Sequence, residues 1–207
     1  MQRKKIFCFG DSNTWGCSPF DGSRYDESTR WPKVMESLLG ENFTVIEEGL
    51  NGRTLLPINP LNKKGSGILC IEEVSAQHLP LDIVTIYLGS NDLFDPSEVS
   101  LDSISQGMHT LIRKIKDLHV PAQPVIIIIG PPATDKNFDG ARFFELQINK
   151  VAALGPLYKK IAEEKSVYFF DASLFIKTAG IDCSHIDGEN HRILGRELAR
   201  FITEILS

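Results

Sequence analysis

Cysteine, tryptophan and methionine are scarce in this chain: four, two and three among 207 residues. Cys8, Cys17, Cys70 and Cys183 form no C-x-x-C pair and no other metal-ligand spacing, so reduced, mostly buried thiols are expected. No H-E-x-x-H occurs either, and neither a metal nor an organic cofactor is expected. A basic excess is also missing. The net charge of −5 and pI near 5.6 argue against a nucleic-acid partner. The longest purely aliphatic run, Val125–Ile129, falls far short of the roughly 20 residues of a membrane span. G-x-G-x-x-G and G-x-x-x-x-G-K-[ST] are absent, which removes the usual phosphate cradles of a nucleotide- or flavin-binding module. So is G-x-S-x-G, the nucleophile elbow of α/β-hydrolase lipases.

What is present is an ordinary globular composition, 42% hydrophobic and 24% charged. Five short apolar runs read as strands: Lys5–Phe9, Thr44–Glu48, Ile83–Leu88, Val125–Ile129 and Val167–Phe170. Most are nearly continuous rather than alternating, as strands covered on both faces should be. Helical patterns follow them over Trp31–Leu39, Ser66–Leu79, Leu101–Leu118, Arg142–Lys165 and Gly188–Leu206. In the first, Val34, Leu38 and Leu39 make the apolar side; Gly155-Pro156 should kink or split the fourth; Asp187 is placed to cap the last. This alternation predicts an α/β fold with a parallel sheet between helices, in one domain over residues 1–207. The basic N-terminus resembles the start of a signal peptide, but its apolar stretch stops at Gly10-Asp11. A first strand and a cytoplasmic protein are therefore expected.

Long segments follow the strands, and in open parallel sheets ligands sit there, beyond the strands' carboxyl ends. The first carries Gly10-Asp11-Ser12-Asn13-Thr14-Trp15-Gly16 and the second Gly49-Leu50-Asn51-Gly52-Arg53-Thr54. The third carries Gly89-Ser90-Asn91-Asp92 and the fifth Asp182-Cys183-Ser184-His185. Acyl transfer needs these residue types. A serine becomes nucleophilic when a histidine takes its proton, a carboxylate orients that histidine, and amide N–H groups receive the oxyanion.

These four blocks, in this order, resemble the SGNH (GDSL-type) hydrolase family, and within it the bacterial arylesterase/acyltransferase branch. Thr14-Trp15-Gly16, Arg30-Trp31, Val45-Ile46-Glu47-Glu48-Gly49-Leu50 and His78-Leu79-Pro80-Leu81-Asp82 carry the second likeness. The resemblance implies a flavodoxin-like three-layer α/β/α sandwich and an esterase of short-chain carboxylic esters, with acyl transfer to alcohols. It implies Ser12 as nucleophile, His185 as base, Asp182 as its orienter, and an oxyanion hole from the Ser12 and Gly52 amides and the Asn91 side chain. A small-molecule ester as partner and a tendency to homo-oligomers follow from it too. Cys183-Ser184 stands where the family more usually has glycine and an aliphatic residue.

Competing readings attach to several residues. Carbohydrate O-deacetylation would use the same triad on the same fold; a flavodoxin-like ligand-binding module is the non-enzymatic rival. Asp11 is expected to brace the serine's turn rather than move protons. His191 is expected to face solvent from the last helix, and His78, His109 and His119 to be structural or surface residues. Trp15, three residues past the serine, is the better candidate for a pocket wall; Phe143 and Phe144 are weaker ones.

Overall fold

The computed structural model describes residues 3–94, 99–135, 144–179 and 181–207. Its sheet has five parallel strands, β1 (Lys4–Gly10), β2 (Phe43–Gly49), β3 (Ile83–Tyr87), β4 (Val125–Ile129) and β5 (Tyr168–Phe170). They lie in the order β2-β1-β3-β4-β5, the flavodoxin-like doubly wound order. The central strands are apolar along their length because both faces are covered. Phe7, Phe9, Val84, Ile86, Ile126 and Ile128 pack on a layer of α3 (Gly67–Ala76), α5 (Leu101–Leu118) and α7 (Leu154–Lys165). Their neighbours Ile6, Cys8, Ile83, Ile127 and Ile129 pack on α2 (Trp31–Leu39) and α8 (Gly188–Leu206). The expected three layers are thus formed, and α8 is capped by Asp187, whose carboxylate accepts from the Asn190 amide.

Some local expectations change. In α2 the buried line runs through Trp31 and Met35, with Leu39 partly buried; Leu38 is 57% exposed. Residues 31, 35 and 39 follow one another at i+4 along one face, and Leu38 falls beside that line. The helix expected over 142–165 is two, α6 (Glu145–Ala152) and α7, parting at Ala153. Pro156 then sits in the first turn of α7, where a missing N–H costs nothing; Arg142 and Phe143 lie outside the described residues. Helix α3 ends at Ala76, short of Leu79. Two short helices, α1 (Ser12–Trp15) and α4 (Ser90–Phe94), follow β1 and β3 and are too brief to leave a periodic signal. Among the described residues, no helix is long and apolar enough to cross a membrane.

The chain leaves β1 for β2 on one side and returns to β3 on the other, so β1 and β3 flank the switch point of the sheet. Ser12, Gly52 and Asn91 all lie just past the carboxyl ends of β1, β2 and β3.

Candidate active site

Ser12 is the first residue of α1 and is 5% exposed. Asp11 caps this helix, its Oδ1 accepting from the Asn13 amide at 2.9 Å, so it braces the turn as its position suggests. Burial pushes the Asp11 carboxyl up to about 6, against the hydrogen bond from Asn13.

Across the crevice, the segment before α8 brings its acid and histidine to the serine. His185 Nε2 lies 3.0 Å from Ser12 Oγ, and His185 Nδ1 lies 2.9 Å from Asp182 Oδ2. With the Nδ1 proton donated to the carboxylate, Nε2 is left to accept from the Ser12 hydroxyl. The other Asp182 oxygen accepts from the Ser184 and His185 amides at 2.8 and 2.7 Å. Burial alone would raise the Asp182 pKa; the hydrogen bonds from the His185 ring and the two amides outweigh it and hold the carboxyl below its ordinary value. The same bond to Asp182 raises His185 above the ordinary imidazole value, against desolvation. The Ala179 amide donates to the His185 carbonyl at 2.8 Å, and Ala133, in the segment after β4, accepts from Thr178 N and donates to Ile176 O.

The second and third segments meet each other nearby. Gly52 sits at φ +73°, in a turn closed by Arg53 N donating to Leu50 O at 3.0 Å. That is the position a type II turn reserves for glycine. Asn91 donates its side-chain amide to the Arg53 carbonyl at 3.0 Å, one residue from Gly52. Asp92, fully buried, accepts from the Leu55 and Leu56 amides at 2.7 and 2.8 Å and holds the two segments together. Arg53 ties them to the first: its guanidinium, 4.7 Å over the Phe9 ring, donates to the Gly10 and Glu48 carbonyls and to the Glu48 carboxylate. Leu50 N also donates to Gly10 O, two residues before Ser12.

His191 does not face solvent. It is fully buried under α2, with Nδ1 accepting from Trp31 N at 3.4 Å and the ring edge-on to Tyr25. The expectation failed because the solvent side of α8 at this point is covered by the long segment before α2. Burial drives its pKa down to about 3, so it stays neutral, and its partners are Trp31 and Tyr25 rather than Ser12. His119 is buried with Nδ1 on the Ile115 carbonyl, His109 pairs with Glu164 on the surface, and His78 lies against Phe7. Trp15 is half-buried with the Arg24 guanidinium 5.5 Å over its ring. Phe144 is 41% exposed and tilted against Phe94; Phe143 lies outside the described residues. All four cysteines are free and buried.

Four residues that hold the site have no role readable in the sequence: Asn13, Arg53, Asp92 and Tyr158. Asn13 donates its amide to Ser184 O at 3.0 Å and accepts from Ile186 N at 3.1 Å. Tyr158 donates to the Leu88 carbonyl just before the third block, at 2.8 Å. An arginine and an aspartate both fully buried are the kind of signal that betrays such clamps, but burial is seen only in the fold.

The chain is similar to known proteins over most of its length. The GDSL-like Lipase/Acylhydrolase family matches residues 8–191. The M. smegmatis aryl esterase is 34% identical and superposes with a TM-score of 0.85, over 97% of this chain and 99% of that one. A carbohydrate acetylesterase from Sinorhizobium meliloti is 32% identical with a TM-score of 0.86, over 98% and 100%. No curated protein sequence matches the chain.

Proposed function

The chain belongs to the GDSL-like lipase/acylhydrolase family and is a serine esterase, and from that premise we propose that Ser12, His185 and Asp182 are its catalytic triad and that it cleaves short-chain carboxylic esters. The observation that carries the reading is the unbroken chain from Ser12 Oγ through His185 to Asp182, 3.0 and 2.9 Å. In the first half-reaction Ser12 Oγ adds to the ester carbonyl while its proton passes to His185 Nε2. Asp182 stabilises the imidazolium without taking the proton. The oxyanion is received by the Ser12 and Gly52 amides and the Asn91 side chain. Collapse expels the alcohol, which takes the proton from His185, and leaves an acyl-Ser12. Water, deprotonated by His185, then repeats the sequence and releases the acid. Deacylation asks only for a nucleophile His185 can deprotonate, so a primary alcohol is a second acceptor and yields a new ester.

The test is turnover of p-nitrophenyl acetate, butyrate and octanoate by the protein and by Ser12→Ala. Loss of turnover in a folded Ser12→Ala protein is expected, with the shortest esters cleaved best; near-normal rates would refute the nucleophile. Added ethanol should divert part of the acyl group to ethyl acetate. Sugar O-deacetylation is a second reading, favoured by the likeness to the S. meliloti carbohydrate acetylesterase. It predicts higher kcat/KM on acetylated sugars than on aryl acetates.

A further inference from the structure

We propose that Asn13 is a positioning residue for the ester reaction, its side-chain amide fixing His185 against Ser12 by hydrogen-bonding the peptide groups on both sides of His185. The inference rests on the triad reading above. Asn13 adjoins Ser12 in α1, yet its amide reaches 171 residues along the chain to donate to Ser184 O and accepts from Ile186 N. One side chain thus pairs with residues 184 and 186 as a strand would, with His185 between them. Among the described residues, the hydrogen bonds joining residues 10–17 to residues 179–187 are these two and the Ser12–His185 contact itself. Every other anchor of His185 lies within its own segment: its amide donates to Asp182 and its carbonyl accepts from Ala179. Those bonds fix the ring relative to the acid. Among the described residues, the hydrogen bonds that fix it relative to the nucleophile, besides the Ser12–His185 contact itself, are those of Asn13.

The chemistry of the residue suits the task. The bond from Ile186 N is buried and that to Ser184 O partly so, Asn13 being 5% exposed and Ile186 fully buried, so water does not replace them easily. Asn13 is itself pinned, its carbonyl accepting from the Trp31 indole at 3.0 Å. A carboxylate in its place would face the Ser184 carbonyl, an aliphatic side chain would offer neither bond, and glutamine would be a methylene too long.

The experiment is a double-mutant cycle on kcat for p-nitrophenyl acetate, corrected for folded protein by circular dichroism. Asn13→Ala and the near-isosteric Asn13→Asp are each made in the natural protein and in His185→Ala. In the natural background each should lower kcat by about 10²-fold, the scale of a misplaced catalytic group, with KM within about twofold. In His185→Ala the same substitutions should cost less than about threefold, because the group they position is gone. An equal loss in both backgrounds, or no loss in the natural one from whichever variant folds, overturns the proposal. Ser12→Ala is run alongside: if it keeps turnover, the triad reading fails and takes this inference with it.

Discussion

On the proposed nucleophile side of the site, Ser12, His185 and Asp182 bond to one another side chain to side chain, at 3.0 and 2.9 Å. On the proposed oxyanion side, Asn91 spends an N–H on the Arg53 carbonyl and Gly52 lies exposed in a turn. The first side is complete in the free protein. The second is a scaffold of clamps, Asp92 and Arg53 above all, that on the proposed reading holds amide donors at a place where charge would appear only during reaction. The contrast follows from what each side must do. A base has to be oriented before the substrate arrives, because its proton transfer begins the reaction. Oxyanion donors act on an oxygen the protein does not contain, so their geometry must come from backbone held elsewhere. Damage to the two sides should therefore differ in size and in kind.

The largest effect is expected on the nucleophile side. His185→Ala should lower kcat by roughly 10⁴-fold or more, since the serine keeps its proton. His191→Ala, which removes a buried ring packed on Trp31 and Tyr25, should leave kcat per folded molecule within about fivefold and lower the melting temperature instead. Steady-state kinetics beside thermal unfolding separates the two. The reverse ranking would mean that the base had been assigned to the wrong histidine.

A smaller and different loss is expected on the other side. Asn91→Ala removes one of the proposed oxyanion donors and should cost about 10²–10³-fold in kcat, with KM little changed. Its pH profile makes the comparison sharper. The base must be neutral to act, so kcat/KM falls as pH drops through the His185 pKa. Asp182 raises that pKa by hydrogen bonding, and the nearby Asp11 carboxylate raises it further, so the acid limb should lie above the ordinary imidazole value of 6.5. Asn91→Ala should lower the plateau and leave this limb where it is. A limb that moves with Asn91 would show the two sides to be coupled.

What could be read in the sequence followed the same division by distance along the chain. Ser12, Asp182, His185, Gly52 and Asn91, the residues proposed for the reaction, each sit in a block of a few residues whose likeness to the family picks them out. The strands were equally legible, because burial on both faces leaves an apolar run in the sequence itself. The clamps were not. Asp92 reaches back 37 residues to Leu55, and Asn13 forward 171 to Ser184, and nothing in an asparagine or aspartate says which remote amide it will meet. His191 was misplaced for the same reason: its cover comes from Tyr25 and Trp31, some 160 residues earlier. Helices α1 and α4 escaped because four or five residues hold less than one and a half turns of periodicity.

Gly52→Ala should give the smallest effect, and its argument runs through backbone conformation alone. A Cβ at Gly52 meets nothing within 4 Å, whereas one at Gly49 would fall on the Thr14–Trp15 peptide that carries the nucleophile's helix. Space is therefore no obstacle at Gly52; its φ of +73° is. An alanine held there costs about 1–2 kcal/mol. If the Arg53–Leu50 bond and the clamps on either side keep the turn as it is, the Gly52 N–H survives. The variant then loses that much stability in urea denaturation and less than about tenfold in kcat, since the transition state still finds its donor. If the turn instead relaxes to negative φ, the amide swings away and kcat falls by as much as in Asn91→Ala, with stability nearly unchanged. Kinetics and denaturation on the same preparation distinguish the outcomes. The second would show that glycine at this position supplies the oxyanion side with its geometry, and that the clamps around it do not.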